Sequence, residues 1–427
     1  MNVADSERLG SALDQLGCTA VGSMEKADVI VLNSCVVRQG AEDKVTGRLT
    51  SLKPLKQRHP DKIIALMGCM VGPDTAELER RFPYVDSFMR PQEFGDLVRL
   101  VEAREGVCID NSIPLVPSRP AVAAFVPIIH GCDKFCTFCI IPYRRGRESS
   151  RPVSELVREV EMLVQRGVKE VTLLGQNVDS YGHDLDGEPD LADLLTILND
   201  VSGLRRMRFL TSHPNDMSQK LIDAVAELDR VCEYINLPVQ AGDNLVLERM
   251  RRGYTREQYL ELVGRIRASM PEVGLTTDII VGFPGETEDQ FERTVDLVRE
   301  VRFDKLHIAS YSPRPGTIAW RKQPDDVPPE EKKRRHRVLE ELQEGIAREI
   351  NGGMVGRREE VLVEERKDGR WHGRTRSNKL VYLDEASGER AFGEIVPVEI
   401  VAATAFSLQG SVASGAPKVL AMATGRG

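Results

Sequence analysis

Apolar positions in the first 110 residues follow two periodicities. Leu9, Leu13 and Leu16 recur at helical spacing, which predicts an amphipathic helix over residues 5–16. Apolar runs at 28–32 and 63–67 predict strands, with a shorter apolar segment at 85–89. Helical patterns at 41–57, 77–81 and 94–102 separate them. Strands that alternate with helices predict a parallel α/β sheet.

The same alternation resumes at larger scale beyond a proline-rich stretch at 111–120, which predicts a linker. Strands are predicted at 124–129, 170–174, 207–211, 234–237, 275–281 and 305–311, with helical segments between them. Six strands in about 190 residues are typical of a doubly wound sheet or of an incomplete β/α barrel.

A second break at 324–329 is followed by a long charged helix that runs to about Ile350. After it the helical pattern stops, and short strands are predicted at 361–364, 371–374, 380–383 and 395–401, with turns at 368–369 and 387–388. This pattern predicts a small β-barrel of about 70 residues. The predicted domains are 1–110, 118–350 and 351–420.

Composition narrows the class of protein. The chain has 427 residues, 29% charged and 41% hydrophobic, and its longest apolar run is too short to span a bilayer. With no secretory signal visible, we expect a cytoplasmic protein whose eight cysteines stay reduced, so clustered cysteines indicate metal or catalytic groups. The net charge of −8 argues against indiscriminate nucleic-acid binding but leaves room for a local basic patch.

The strongest chemical signal is the loop after the first predicted barrel strand, where Cys132, Cys136 and Cys139 are spaced C-x3-C-x2-C. A structural zinc site requires a fourth ligand, and none follows closely. Three thiolates suit a [4Fe-4S] cluster that leaves one iron open for a ligand. The carboxyl ends of barrel strands are also where β/α barrels place their chemistry. The alternative is three buried cysteines that cluster by chance.

The segments around this loop carry a resemblance that covers essentially the whole chain. The motifs are FVP at 125–127, IPYRRG at 141–146, LLGQNV at 173–178, TSHP at 211–214, LPVQ at 237–240, VGFPGET at 281–287 and SPRPGT at 312–317. The set resembles the radical S-adenosylmethionine (SAM) superfamily, and within it the methylthiotransferases, most closely the tRNA 2-methylthio-N6-isopentenyladenosine enzymes.

The resemblance implies a methylthiotransferase N-terminal domain, a radical SAM barrel and a C-terminal TRAM domain that binds RNA. It implies that SAM binds the open iron and is cleaved to a 5′-deoxyadenosyl radical, which takes hydrogen from C2 of an adenine next to the anticodon. Sulfur is then inserted, and a second SAM supplies the methyl group. The cofactors carry this chemistry, so no side chain is assigned as catalytic. The implied partners are tRNA, an electron donor and a sulfur source whose identities the sequence does not reveal.

The family also has a second [4Fe-4S] cluster, held by three cysteines that lie far apart in sequence. Cys35 and Cys69 each follow a predicted strand, where open α/β sheets bind ligands, and are the candidates here. The family pattern for the third ligand reads Gly-Cys-Gln-Met-Asn, and Met1-Asn2 match only its end. We therefore expect the third ligand two residues before Met1, and a first strand missing with it, in a truncated sequence. Cys18 follows a helix and is the weaker alternative.

Cys108 and Cys232 have no partner in the sequence and are predicted to be ordinary buried thiols. Candidate SAM contacts are Gly175, Gln176, Asn177 and Gly282, each at the end of a predicted strand. For Gly282 the alternative is a tight strand-to-helix turn.

The substrate options within the family are tRNA with isopentenyladenosine, tRNA with threonylcarbamoyladenosine, or an aspartate of a ribosomal protein. The segment QNVDSYG at 176–182 resembles the first group best. A rival hypothesis is a tRNA-binding protein that has lost sulfur insertion through loss of a cluster ligand.

Two basic segments are candidate RNA contacts. Eight basic residues of the C-terminal barrel fall on two or three strands and predict a basic stripe, against the alternative of a solvated surface: Arg357, Arg358, Arg366, Lys367, Arg370, Arg374, Arg376 and Lys379. The run KKRRHR at 332–337 is either a solvated helix face or a phosphate contact. Trp371, Phe392 and Phe406 are predicted to be core residues rather than base-stacking ones.

Overall fold

The computed structural model describes residues 1–34, 39–109, 113–118 and 120–413, apart from the side chains of Gln39, Ala41 and Arg390. These residues fold into an N-terminal α/β unit, a larger β/α unit and a C-terminal barrel. The predicted class, α/β with a parallel N-terminal sheet, an incomplete β/α barrel and a small β-barrel, is confirmed.

The N-terminal unit is a parallel sheet of order β1–β2–β3 with helices on both faces. Its elements are α1 Asn2–Gln15, β1 Val29–Ser34, α2 Gln39–Arg58, β2 Ile63–Gly68, α3 Ala76–Arg81, β3 Ser87–Met89 and α4 Gly95–Glu105. Leu9 of α1 packs with Ala65 and Met67, whereas Leu52 of α2 packs in another cluster with Leu66. Because both faces are covered, every residue of β2 is buried, which explains its uninterrupted apolar sequence.

The central unit is an incomplete barrel of six parallel strands. Its parallel strands are β4 Ala123–Pro127, β7 Glu170–Leu174, β8 Arg206–Phe209, β9 Tyr234–Asn236, β10 Gly274–Val281 and β11 Lys305–Ser310, and two short strands, β5 Ile129–His130 and β6 Ser149–Ser150, form a separate antiparallel pair. Strands β4, β7 and β8 form one parallel sheet and β9, β10 and β11 another, joined by a bridge between Met207 and Val231. In the described part of the chain no ladder closes β11 onto β4.

Helices cover the outside of this barrel. They are α5 Ile141–Arg144, α6 Val153–Gln165, α7 Leu191–Asn199, α8 Gln219–Glu227, α9 Asn244–Met250, α10 Arg256–Ser269, α11 Glu288–Val301, α12 Ile318–Lys322 and α13 Pro329–Gly352. Local sequence fixes several of their starts. Thr287 caps α11 by accepting from the Gln290 backbone while the Gln290 side chain reaches back, a reciprocal cap that begins the helix directly after the β10 turn.

The C-terminal unit is a closed barrel of order β12–β13–β14–β16–β15. Its elements are β12 Arg358–Lys367, β13 Arg370–Thr375, β14 Leu380–Leu383, α14 Glu385–Ala391, β15 Ile395–Ala403 and β16 Leu408–Val412. The turn predicted at 387–388 was wrong, because Asp384 caps a short helix there by accepting from the Ser387 backbone. Strand β16 was not predicted; only its pairing with β14 and β15 identifies it.

The C-terminal barrel docks against the amino ends of the central strands. Arg206, the first residue of β8, is fully buried and donates to the Glu360 carboxylate. Arg208 forms a bidentate ion pair with Glu170 and donates to the Thr375 carbonyl. From the other side Arg376 forms a two-pronged pair with Glu233. Paired carboxylates are what make burial of these guanidinium groups tolerable. The C-terminal barrel therefore covers the amino ends of the central strands, so a reaction site is expected at their carboxyl ends.

Among the helices of the described residues, none combines the length and the apolar character that a membrane crossing requires.

Candidate active site

The cysteine loop lies at the carboxyl end of the barrel and is fastened at its base. Strands β5 and β6 pair antiparallel on either side of it, with Ile129 opposite Ser150. Gly131 opens the loop at a φ of +72°, and a Cβ there would stand 2.0 Å from the Arg147 carbonyl oxygen. Only glycine avoids that contact, so the close approach of the two loop ends depends on it.

The middle of the loop is tied to the helices beside it. The Thr137 backbone donates to the Met250 carbonyl at 3.0 Å, and its hydroxyl donates to the Arg249 carbonyl at 2.9 Å. The Thr137 carbonyl accepts from Ala319 at 2.8 Å. These bonds join the cysteine loop to the end of α9 and to α12, so its thiols are held by a rigid surround.

Cys132, Cys136 and Cys139 are close enough that a thiolate at Cys136 would raise the pKa of both neighbours. Burial raises the pKa of Cys132 to about 11 and that of Cys139 to about 12. Both thiols therefore hold their protons at neutral pH until a metal displaces them, and cluster binding will release protons.

No three His, Cys, Asp or Glu side chains in the described residues gather closely enough to hold a single metal ion. The thiolates of a [4Fe-4S] cluster each bind a different iron and so stand further apart than the ligands of one ion. The donor set, three thiols on one rigid loop, fits such a cluster and not a mononuclear site.

One arginine beside this loop was missed by the sequence reasoning. Arg252 is buried, and its Nη1 donates to the Cys136 sulfur at 3.2 Å. The only local signal is its position between Arg251, which takes a left-handed φ of 57° at the end of α9, and Gly253 with a φ of 73°. That backbone turn directs Arg252 inward while Arg251 is exposed.

Cys69 lies directly after β2 and is 3% exposed. It belongs to an apolar cluster that also contains Ile140, the residue that follows Cys139. The Arg145 guanidinium, from the same segment of the central unit, interacts with Cys69 and bonds Asp5 at 2.9 Å. The structure therefore brings Cys69 and the end of the cysteine loop against one shared apolar cluster.

The remaining four cysteines are Cys18, Cys35, Cys108 and Cys232. Cys35 lies outside the described residues, so its predicted ligand role stays a prediction. Cys18 packs in the cluster of α1 and α4, on the face of the sheet opposite Cys69. Cys232 is buried as predicted, but Cys108 is exposed, so the prediction of a buried thiol was wrong there. Cys108 follows the end of α4 and is at the surface of the described part of the chain.

Gly175, Gln176 and Asn177 follow β7 at the same end of the barrel as the cysteine loop. A Cβ at Gly175 would stand 2.5 Å from the Ile129 side chain, so glycine lets this turn pack under the loop. The buried oxygens Oε1 of Gln176 and Oδ1 of Asn177 have no hydrogen-bond partner among the described residues. Unsatisfied buried acceptors at this position suit a ligand with N–H or O–H donors.

Gly282 follows β10 in a turn that the chain itself explains. Its φ is +68°, its N–H donates to Glu286 at 2.6 Å, and a Cβ would stand 2.4 Å from Lys332. Glu286 is buried against Arg335 of α13 at 2.8 Å. These contacts account for the tight-turn alternative, and the SAM contact of Gly282 stays a prediction.

A polar cavity of about 400 Å³ adjoins the cysteine loop. It is lined by Asp133, Lys134, Glu148, Asp179, Ser180, His183 and Asp216. Burial raises the pKa of Asp179 to about 7, although bonds from Ser212 and His213 lower it. The Asp179 carboxyl is therefore poised to change charge near neutral pH.

The basic stripe predicted on the C-terminal barrel is split. Arg376 and Lys379 face inward to Glu233 and Asp304, so they serve domain docking and are not free for RNA. Exposed basic residues remain at the tip of the β12–β13 hairpin, where Lys367 and Arg370 lie.

The aromatic residues of this barrel divide as well. Trp371 packs against its core, as predicted, but Phe392 is 51% and Phe406 79% exposed, so the core assignment was wrong for these two. Phe392 directly follows α14, and Phe406 lies in the turn between β15 and β16, so both are at the surface of the described residues.

The helical run at 332–337 is divided, because three of its basic side chains pair with carboxylates, while the phosphate contact of the others stays a prediction. Lys332 and Arg335 are buried and pair with Asp325 and Glu286, and Arg334 pairs with Glu288. The charges fasten α13 to the barrel, leaving Lys333 and Arg337 exposed.

Comparison with known proteins defines the class. The pattern of the Radical SAM superfamily matches residues 126–298, that of the Uncharacterized protein family UPF0004 matches 1–90, and that of the TRAM domain matches 353–413. The fold is similar to that of the radical S-adenosylmethionine methyltransferase TsrM from Kitasatospora setae with cobalamin and a [4Fe-4S] cluster bound. The two are 15% identical, with a TM-score of 0.51, over 72% of this chain and 68% of that one. The barrel and its three-thiol loop are those of a radical SAM enzyme.

Two relatives narrow the class to a family. A protein of Dehalococcoides mccartyi is 50% identical over 96% of this chain and 95% of its own length, and one of Chloroflexus aurantiacus is 49% identical over 96% and 89%. Both are named tRNA-2-methylthio-N(6)-dimethylallyladenosine synthase. The chain belongs to this family of methylthiotransferases.

Proposed function

We propose that this protein attaches a methylthio group to the adenine ring of N6-dimethylallyl (isopentenyl) adenosine in tRNA. The observation that carries the proposal is the three-thiol loop at the open end of the barrel, in a chain that aligns over 96% of its length with synthases of that name. The same alignment favours this substrate over threonylcarbamoyladenosine or a ribosomal protein.

Cys132, Cys136 and Cys139 are the proposed ligands of the [4Fe-4S] cluster that binds SAM. When bound, this group supplies the electron that cleaves SAM to a 5′-deoxyadenosyl radical. The chain's own part is to hold the three thiols on a loop that hydrogen bonds from Thr137 anchor to the neighbouring helices. The unpaired oxygens of Gln176 and Asn177 support a second role, accepting hydrogen bonds from SAM beside that loop.

A second cluster, used for sulfur insertion, is proposed at Cys69 together with Cys35. Support comes from the burial of Cys69 at the carboxyl end of β2 and from its shared apolar cluster with Ile140. A sulfur donor at Cys69 would share an apolar cluster with the end of the cysteine loop, which suits sulfur insertion after hydrogen is taken from the base. The reaction also requires an electron donor and a sulfur source as partners.

The tRNA contact is proposed at the tip of the β12–β13 hairpin. Lys367 and Arg370 are exposed there, and Arg370 lies over the Tyr382 ring at 5.7 Å. An exposed cation near an aromatic face suits phosphate and base contacts together.

The test is methylthiolation by the anaerobically reconstituted and reduced protein with SAM and sulfide. We expect the 2-methylthio nucleoside, detected by mass spectrometry, with tRNA that carries the dimethylallyl group and none with tRNA that lacks it. Equal product from both tRNAs, or product only with threonylcarbamoyladenosine tRNA, would refute the proposed substrate.

The same assay tests the hairpin tip. The double variant Lys367→Gln, Arg370→Gln should raise the KM for tRNA and lower the salt slope of tRNA binding by about one unit per residue. Cleavage of SAM without tRNA should be unchanged. Lys53→Gln, an exposed change on α2, is the matched control. A salt slope equal to that of the unchanged protein removes the tip from the RNA surface.

A further inference from the structure

The inference concerns the buried charge of Arg252, and it rests on the proposed cluster at the cysteine loop. Arg252 is 5% exposed, and among the described residues its guanidinium donates three hydrogen bonds, each to a different acceptor. Nε donates to the Tyr254 hydroxyl at 3.0 Å, Nη2 to the Pro238 carbonyl at 2.9 Å, and Nη1 to the Cys136 sulfur at 3.2 Å.

These hydrogen bonds include none to a carboxylate, which sets Arg252 apart from three other buried arginines of the described residues. Arg206, Arg208 and Arg335 each bond a carboxylate directly, with N–O distances of 2.7–2.8 Å. The Asp278 carboxylate lies within electrostatic reach of Arg252 but forms no hydrogen bond with it among the described residues. A guanidinium stays charged in proteins, and a buried charge requires a partner of opposite sign.

Of the three acceptors, the Cys136 sulfur is the one that becomes an anion when it binds iron. We propose that Arg252 is a positioning residue for the SAM-binding cluster: it neutralises the Cys136 thiolate and raises the reduction potential of the cluster. Reduction adds negative charge to a cluster and its thiolates, so a fixed cation with an N–H directed at one sulfur stabilises the reduced form more than the oxidised form.

Arg252 also links the cysteine loop to another part of the central unit. Through Nη2 it joins Cys136 to the end of β9, and Tyr254, which holds Nε, donates to the Val239 carbonyl at 2.8 Å. The guanidinium is thus fixed from two sides, and its distance from the sulfur does not depend on the cluster alone.

The experiment compares Arg252→Gln, Arg252→Lys and the exposed neighbour Arg251→Gln in the full chain. Each is reconstituted anaerobically, and iron per chain, melting temperature and the midpoint potential are measured. The potential is followed by electron paramagnetic resonance on the signal that changes when SAM is added, which isolates the SAM-binding cluster from any second one.

We expect Arg252→Gln to lower the midpoint potential and to slow SAM cleavage by about 10-fold or more at a fixed reductant potential, as is usual when a partner of a metal ligand is removed. Arg252→Lys keeps the charge without the planar donor and should lie between. Arg251→Gln should match the unchanged protein. A role in packing alone would lower the melting temperature and leave the potential of the loaded fraction where it was.

An unchanged potential in loaded Arg252→Gln overturns the inference. If that variant does not load iron, Arg252→Lys decides in the same way, a lowered potential supporting the inference and an unchanged one overturning it. Cys136→Ala separates this failure from that of the proposed function. If Cys136→Ala keeps its iron and its SAM-sensitive signal, the cluster is not at this loop and the proposed function itself is lost.

Discussion

The two proposed cysteine sites differ in how the chain builds them. Cys132, Cys136 and Cys139 come from one short loop, clamped at its base by β5 and β6 and bonded to α9 through Thr137. Cys69 is a single residue at the end of β2, and its proposed partner Cys35 comes from elsewhere in the chain. A local motif carries its own geometry, whereas a distributed site exists only when the sheet that supports it is packed.

The two proposed sites therefore depend on different parts of the fold. The cysteine loop needs the carboxyl end of the barrel, and the Cys69 site needs both the N-terminal sheet and Ile140 from the central unit. The SAM-cleaving half of the reaction should therefore survive changes that disable the sulfur-inserting half, but not the reverse.

The largest effect is expected from the cysteine loop. Cys136→Ala should reduce 5′-deoxyadenosine formation by more than about 100-fold, because losing a ligand must cost more than losing an outer partner of one. Cys232→Ala, a change at a fully buried thiol away from the loop, is the control. Undiminished 5′-deoxyadenosine from Cys136→Ala contradicts the ligand assignment.

A smaller and selective effect is expected at the other site. Cys69→Ala should abolish methylthiolated nucleoside while SAM cleavage without tRNA falls by less than about 10-fold, and iron per chain should decrease. Cys18→Ala, on the opposite face of the sheet, should change neither product. Full methylthiolation by Cys69→Ala, or loss of methylthiolation in Cys18→Ala, would contradict the assignment of the second site to Cys69.

The smallest effect should come from the contact between the two sites. Ile140 is 7% exposed, so Ile140→Ala should lower the free energy of unfolding by roughly 2–5 kcal/mol, the usual cost of truncating a buried isoleucine. Methylthiolation should fall further than SAM cleavage, since the distributed site relies on this packing. Ile197→Ala, at a position 41% exposed on α7, should cost much less. Equal losses in both activities would mean that the sites do not differ in this respect.

Much of the fold followed from periodicity. All six central strands lie where the sequence predicts them. Strand β7 is the simplest case, because it is buried along its whole length and its sequence is mostly apolar. Strand β16 and helix α14 were not predicted. Strand β16 contains Gln409, Gly410 and Ser411, and its extended conformation depends on its pairing with β14 and β15.

The sequence by itself determined the cysteine loop, the three-part organisation and the family, because each depends on residues that are close together or on motifs that alignment recognises. Tertiary structure alone decided what the charges do. Arg376, Lys379 and Arg335 belong to basic segments in the sequence, yet each forms an ion pair with a carboxylate from a distant part of the chain. Arg252, which no motif singled out, meets Cys136 from 116 residues away. A charge selects its partner by proximity in the folded chain, and sequence spacing does not encode that proximity.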